Sequence, residues 1–296
     1  MKYKVILSNL FISASQKCNL DCRVCQCGDA TNDEMTRPVA EWVFSDIIKT
    51  RDFGFMDGEV NLAPNAIRLI NEVMKEKGVV HESFGGYLNG TVYNKECMSQ
   101  LTDIMSRSTN KNSPSYWQVS LDEWHLKAAK KIMTTKDYSK SLKKLLTHPL
   151  VALRTASSGI IYNEGRAKNT EDTYGVNKIE PNPEFYTPYC YINEKENPNR
   201  IFASAMTINC FGDAVVEGDY NTQKETSYGN VVRDQGVANI LLNSDKVRRF
   251  SVLDEYCDAH NKMYDAEIER RKSSCLTKDF EKQRYDKLYK EFSSFI

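Results

Sequence analysis

The sequence carries no excess of either charge: 40 Lys and Arg offset 40 Asp and Glu over 296 residues. This excludes a whole-protein electrostatic footprint for nucleic acid or an anionic membrane, and leaves room only for a local patch. Nucleic acid and membrane are therefore not expected partners. No stretch reaches the ~20 consecutive apolar residues that a membrane span needs. An export signal is poorly formed as well. Lys2 and Lys4 precede Val5-Ile6-Leu7, but Ser8 and Asn9 interrupt the apolar run, and Lys17 fits badly before Cys18 as a lipoprotein cleavage site. Internal repeats and low-complexity segments are absent. Histidine is scarce, and His81, His125 and His148 lack metal-type spacing, so they are read as structural or surface groups.

What remains is the composition of an ordinary globular protein, 41% hydrophobic and 27% charged. Nine cysteines without an export signal suggest a reducing, cytoplasmic setting and metal or catalytic roles rather than disulfides. Their distribution is uneven. Cys18, Cys22, Cys25 and Cys27 crowd together, whereas Cys97, Cys190, Cys210, Cys257 and Cys275 are scattered.

Short apolar runs alternate with stretches of helical period up to about Arg166. Strands are expected at Val5 to Ile12, Phe53 to Met56, Ser83 to Leu88, Trp117 to Leu121 and Val151 to Ile161. Between them, helical faces run through Val39, Trp42, Val43, Ile47 and Ile48, then Ile67, Leu69, Ile70 and Val73 after Pro64. Further faces contain Met98, Leu101 and Ile104, then Leu126, Ala129 and Ile132, then Leu142 to Leu146. Repeated βα units imply a parallel sheet with ligands at the carboxyl ends of its strands. Asn169 to Pro188 reads as a linker, Ile201 to Val216 as a hairpin around Phe211-Gly212-Asp213, and the chain from Val237 as helical. The charged tail Lys278 to Phe295 reads as a solvated amphipathic helix. Trp42, Trp117 and Trp124 are expected in the core or a pocket wall, and Phe185, Tyr186, Tyr189 and Tyr191 at the end of the linker.

Cys18-Asn19-Leu20-Asp21-Cys22-Arg23-Val24-Cys25 has the spacing C-x3-C-x2-C. Three thiolates on a tight loop suit a cubane cluster, with one iron for each and a fourth iron open to a chelating ligand. The same loop with Cys27 as a fourth ligand suits zinc, which makes a non-catalytic zinc-binding interaction module an open alternative. Asp57-Gly58-Glu59-Val60 follows the second strand, Leu88-Asn89-Gly90 the third, and Val119-Ser120-Leu121-Asp122 the fourth. Taken singly, these are an ordinary turn, a second turn and a helix N-cap.

The cysteine spacing, the Cys-Asn-Leu opening and the order of the later motifs resemble the radical S-adenosylmethionine (SAM) superfamily. Val24 stands where an aromatic usually precedes the last cysteine, and Asp57 and Val60 replace a glycine and a proline. The resemblance covers residues 5 to about 168, ending at Gly165-Arg166-Ala167-Lys168. It implies an α/β partial (β/α)6 TIM-like barrel over 1–168 and a small C-terminal α+β extension over 169–296. It further implies a 4Fe–4S cluster on Cys18, Cys22 and Cys25, with SAM on the open iron. Gly58 and Glu59 would receive the SAM ammonium, with Asn89 in the next loop. Ser120 and Asp122 would hold the carboxylate or the ribose hydroxyls, and Arg154 the carboxylate. One electron, from a donor such as flavodoxin or ferredoxin, would split SAM to a 5′-deoxyadenosyl radical that takes a hydrogen atom from substrate.

Ile208-Asn209-Cys210-Phe211-Gly212-Asp213, followed by Tyr228-Gly229-Asn230-Val231, resembles the SPASM/twitch extension of enzymes that mature ribosomally made peptides. A peptide is thus the expected substrate; a small molecule or RNA nucleotide is the alternative. Cys190, Cys210, Cys257 and Cys275, with His260, leave room for one auxiliary iron–sulfur cluster. A lone thiol suits another task, donating a hydrogen atom to a substrate radical as in peptide epimerases; Cys210 is the first candidate, with Cys27 and Cys190 behind it. A leader-peptide-binding winged helix is not evident, the residues before Cys18 being too few to make one.

Overall fold

The computed structural model describes residues 3–110, 115–154, 160–171, 177–181, 187–216 and 218–274. Cys275, Phe185, Tyr186 and the charged tail lie outside them. The strands are β1 (Lys4–Ile12), β2 (Ile47–Phe55), β3 (Val80–Leu88), β4 (Trp117–Ser120), β5 (Val151–Arg154), β6 (Ile160–Tyr162), β7 (Asn177–Ile179), β8 (Tyr189–Tyr191), β9 (Arg200–Ile208), β10 (Asp213–Val215), β11 (Gly229–Asn230) and β12 (Arg248–Phe250). The helices are α1 (Arg37–Val43), α2 (Pro64–Lys77), α3 (Lys95–Ser106), α4 (Glu123–Ile132), α5 (Thr135–Leu146), α6 (Gln223–Thr226), α7 (Val237–Asn243) and α8 (Leu253–Ser274).

The main sheet has the order β11-β10-β9-β1-β2-β3-β4-β5; β8 also pairs with β9, and β12 pairs with β8. β1 to β5 are parallel, each paired to the next, and α2, α3 and the α4–α5 pair form the crossovers between β2 and β5. Their carboxyl ends therefore gather on one edge, which is what the alternation of runs implies. β9 joins on the other side of β1, also parallel, from Lys4↔Arg200 to Ile12↔Ile208.

Local chemistry sets the helix ends. Pro64 opens α2, Gly78 closes it in the left-handed conformation, and Ile67, Ile70, Val73 and Met74 supply its buried stripe. Asn94 caps α3 and Asp122 caps α4, each accepting two backbone amides. Beneath the strand ends lies an aromatic core: Phe53 stacks on Phe84 with centroids 5.2 Å apart, and Trp117 meets Phe84 edge-on at 5.4 Å. Trp117 and Trp124 are both buried, as expected, and Trp42 is partly buried against the core.

Several boundaries differ from the sequence reading. Ile47 and Ile48 belong to β2 rather than to a helix. α1 closes at Val43, where the Phe44 amide bonds the Ala40 carbonyl, and the chain then pairs with β1 from Val5↔Ile47 onward. Val43 and Ile47 are spaced like one helical face, a pattern two adjoining elements can share. Of the expected fifth strand, Val151–Arg154 pairs with β4, and Ile160–Tyr162 pairs with β7 in a separate two-stranded sheet. β7 lies inside the expected linker. The hairpin is present as β9–β10, and β12 interrupts the helical C-terminal stretch. Tyr189 and Tyr191 are buried in β8, packed on Tyr256 of α8.

Candidate functional site

The cysteine loop leaves β1 at Ser13 and is clamped at its base. Gln16 donates its amide to the Asp33 carbonyl at 3.0 Å and Met35 to the Ala14 carbonyl at 2.9 Å, so residues 16–33 form a closed excursion. Within it Cys25 donates its amide to the Cys22 carbonyl at 3.1 Å, a tight turn that sets the two side chains on one side. Val24 packs against Trp124, Ile161 and Ala167 and also lines the cavity described below.

Loops from three other strands close over this excursion. Gly58, at φ +57°, approaches so near that an added Cβ would lie 2.6 Å from the Ser15 carbonyl oxygen and 2.7 Å from that of Lys17. Only glycine fits there without displacement. The Glu59 amide then bonds the Lys17 carbonyl at 2.6 Å. From β3, Asn89 donates Nδ2 to Asn19 Oδ1 at 2.9 Å, within 3.8 Å of Cys18 Sγ. Gly165-Arg166 grips the other flank: the Arg166 amide bonds the Cys25 carbonyl and Nε bonds the Cys22 carbonyl, both at 2.9 Å, while Nη1 pairs with Asp29 at 3.0 Å. The C-terminal region completes the ring, with Tyr220 donating its amide to the Cys27 carbonyl at 2.9 Å and Asp219 accepting from the Gly165 amide and Lys168.

Together these segments enclose one cavity at the carboxyl ends of β1 to β4. Cys18, Cys22, Cys25 and Cys27 all line it, with Gly58, Asn89 and Ser120 from the motif loops. Asp57, Tyr87, His125, Arg166 and Tyr220 line it as well, and sequence reasoning had assigned none of them a role there. Two of these carried a signal: Arg166 lies in the Gly-Arg-Ala-Lys segment, and His125 follows the helix cap Asp122 by three residues. Tyr87, 51% exposed, and Tyr220 carried none.

Glu59, Asp122, Cys190 and Cys210 do not line this cavity. Glu59 is 2% exposed; its carboxylate accepts the Asn61 amide at 3.0 Å and the Asn89 amide at 2.6 Å, bracing the second and third loops against each other. Burial pushes its pKa up to about 7, with the two amides opposing. Asp122 caps α4 and lies 2.8 Å from His125 Nδ1. Burial alone would lower the His125 pKa, but the Asp122 carboxylate outweighs it and the net shift is upward. Arg154 pairs with Ser120 across the β4–β5 ladder, and its side chain lies outside what is described. Cys210 is 2% exposed in the core at the β9–β10 turn, away from the cavity wall, and Cys190 is buried in β8. Cys257 is exposed on α8, while the ring of His260 meets the Tyr189 hydroxyl.

Burial raises the pKa of Cys18 and Cys22, so their thiolates need a compensating positive centre in the cavity. Cys25 and Cys27 share a hydrogen bond that draws Cys25 below the ordinary thiol range and pushes Cys27 above it; Cys27 Sγ also lies 3.0 Å from Asp57 Oδ1. Among the described residues, no three His, Cys, Asp or Glu side chains converge on one point as ligands of a single ion. A cubane gives each thiolate its own iron, so the three sulfurs need not meet at one point. Thiols at Cys18, Cys22 and Cys25 in one cavity wall have the donor chemistry such a cluster takes. No helix among the described residues is long and apolar enough to cross a membrane.

No protein-family model matches this chain, and no curated protein matches it. Among solved structures it is similar to hexahistidine-tagged anSMEcpe with bound AdoMet, at 14% identity and TM-score 0.49, over 81% of each chain. The same figures hold for native anSMEcpe with bound AdoMet and Cp18Cys peptide. It is also similar to Streptococcus suis SuiB bound to S-adenosylmethionine, at 11% identity and TM-score 0.38, over 80% of this chain and 66% of that one.

Proposed function

We propose that this chain is a radical SAM enzyme that acts on a ribosomally made peptide. The observation that carries the reading is the cavity itself. Three thiols at C-x3-C-x2-C spacing after β1 share one wall with Gly58, Asn89 and Ser120, which come from the ends of the next three strands in the order the motifs require. A partial (β/α)6 barrel over 1–168, with the extension from 169 onward closing its mouth, is the architecture that belongs to this reading.

When bound, a 4Fe–4S cluster and SAM supply a 5′-deoxyadenosyl radical able to take a hydrogen atom from substrate. Cys18, Cys22 and Cys25 hold the cluster. Arg166 keeps their loop in place through the Cys22 and Cys25 carbonyls and lends positive charge beside buried sulfur. Gly58 lets the second loop approach, Glu59 and Asn89 brace it, and Ser120 offers a hydroxyl at the end of β4. Tyr220, Leu20 and Leu88 line the cavity and exclude water, which shields a reactive carbon radical. A carrier such as flavodoxin or ferredoxin in a reducing cytoplasm would deliver the electron.

Within this reading the finer outcome is epimerisation. A thiol at the cavity donates a hydrogen atom to the substrate radical, inverting the carbon and leaving a thiyl radical. One electron and one proton from the donor system restore the thiol. Cys27 suits this better than Cys210, because Cys27 lines the cavity and Cys210 lies in the core.

The test is anaerobic reconstitution with iron and sulfide, then dithionite and SAM, reading 5′-deoxyadenosine. Product from wild type and none from Cys22→Ala supports the reading. One zinc per chain with neither iron nor sulfide in the protein as isolated would sink it in favour of a zinc-binding module.

A further inference from the structure

The sequence points to Asp122 as a ligand-binding carboxylate, yet the folded chain uses that side chain for another purpose. Its Oδ1 accepts the Trp124 and His125 amides at 3.1 and 3.0 Å, and both carboxylate oxygens lie 2.8 Å from His125 Nδ1. Asp122 is buried behind the cavity wall, whereas His125 is part of that wall, close to Ser120 at the end of β4. The carboxylate therefore fixes an imidazole by one nitrogen, an arrangement that selects ring orientation and leaves Nε2 as the atom for a ligand.

Among the described residues, the other cationic side chain in the wall has different duties. Arg166 directs its guanidinium to the Cys22 and Leu20 carbonyls and to Asp29, which ties it to the cysteine loop. Asp57 also lines the cavity, with its carboxylate 3.0 Å from Cys27 Sγ. An α-amino acid head group binds best where an acidic group and a cationic donor share one cavity, the first for its ammonium and the second for its carboxylate.

We propose that His125, oriented by Asp122, binds the carboxylate of the methionine moiety of SAM in this chain. The inference rests on the radical SAM reading and names the residue that takes this part of the ligand. The adjacent carboxylate also favours the charged imidazole, in which Nε2 donates. Asp122 is then a positioning residue that acts through the ring, and Ser120 adds a hydroxyl from the neighbouring strand end.

The experiment measures binding, with no turnover, on the reconstituted and unreduced protein by equilibrium dialysis. Two probes are used: SAM, and decarboxylated SAM, which lacks only the carboxylate. Iron and sulfide content and the melting curve confirm that each variant is loaded and folded. His125→Leu is expected to weaken SAM about 10- to 100-fold, the worth of a charge-assisted hydrogen bond. Decarboxylated SAM should bind wild type and variant alike, within about 2-fold. His125→Gln, able to donate but uncharged, should fall between for SAM, and it carries the comparison if the leucine variant does not load iron. Equal losses for both probes would overturn the assignment, leaving His125 as a shape-determining residue, and so would no loss for SAM. If wild type binds neither probe, the radical SAM reading itself fails, a result distinct from the other two.

Discussion

Gly165→Ala tests whether the cysteine loop depends on contact from the far end of the core. Gly165 sits at φ +51°, and a Cβ there would lie 2.6 Å from both the Gln26 carbonyl carbon and the Gly28 nitrogen, closer still to the Gln26 oxygen. All three are backbone atoms of the cysteine loop, so no side chain can swing aside. Left-handed backbone alone costs an alanine about 1–2 kcal/mol. Displacement would further break the Arg166 amide bond to Cys25 and the Gly165 amide bond to Asp219, at about 1 kcal/mol each. The sum is about 3–4 kcal/mol, before any loss at the Arg166 guanidinium. Gly78→Ala is the control, because Gly78 has φ +66° and its Cβ would meet nothing within 4 Å. It carries the conformational cost without the collision. Thermal melts of the two apoproteins should differ, with Gly78→Ala lowering Tm by about 2–4 °C per kcal/mol and Gly165→Ala by more than twice as much. After reconstitution Gly78→Ala should hold as much iron as wild type, and Gly165→Ala distinctly less. Equal melts and equal iron content would refute the idea that residues 165–169 clamp the loop.

Two further outcomes follow from the buried acids and thiols. Glu59 holds its proton more tightly in the folded protein than in the unfolded one, its pKa rising from 4.5 to about 7. The folded state therefore binds more protons across that interval, and stability falls as pH rises through it. Urea unfolding of the reduced apoprotein should show a loss approaching about 3 kcal/mol between pH 4.5 and 7 that is missing in Glu59→Gln. A wild-type slope unchanged by the substitution would mean that Glu59 is not the titrating group. For the thiols, a peptide substrate turned over in D2O should carry deuterium at the inverted carbon. Cys27→Ala should still form 5′-deoxyadenosine but lose that label and the epimer, while Cys210→Ala keeps both. The opposite pattern would return the donor role to Cys210.

The sequence by itself determined the elements whose signals are local. C-x3-C-x2-C is a contiguous pattern, and the βα alternation follows from side-chain periodicity, so the parallel strands β1 to β5 and the loop after the first were legible. Pro64 and Asp122 likewise announced helix starts through local signals that act over about three residues. The separate pairing of Val151–Arg154 and Ile160–Tyr162, and the place of Ile47 in β2, were not legible, because short apolar runs fit either element until strand pairing selects one. The division of labour inside the cavity was decided only by tertiary contacts. Glu59 braces two backbones through Asn89, 30 positions away, and Cys27 sits at the cavity wall against Asp57, also 30 positions away, whereas Cys210 is in the core. A motif specifies which groups are present near a strand end. Which of them face the cavity depends on which amides and carbonyls the rest of the chain leaves to be satisfied, and that is settled only when β9, Arg166 and Tyr220 close around β1 and its loop.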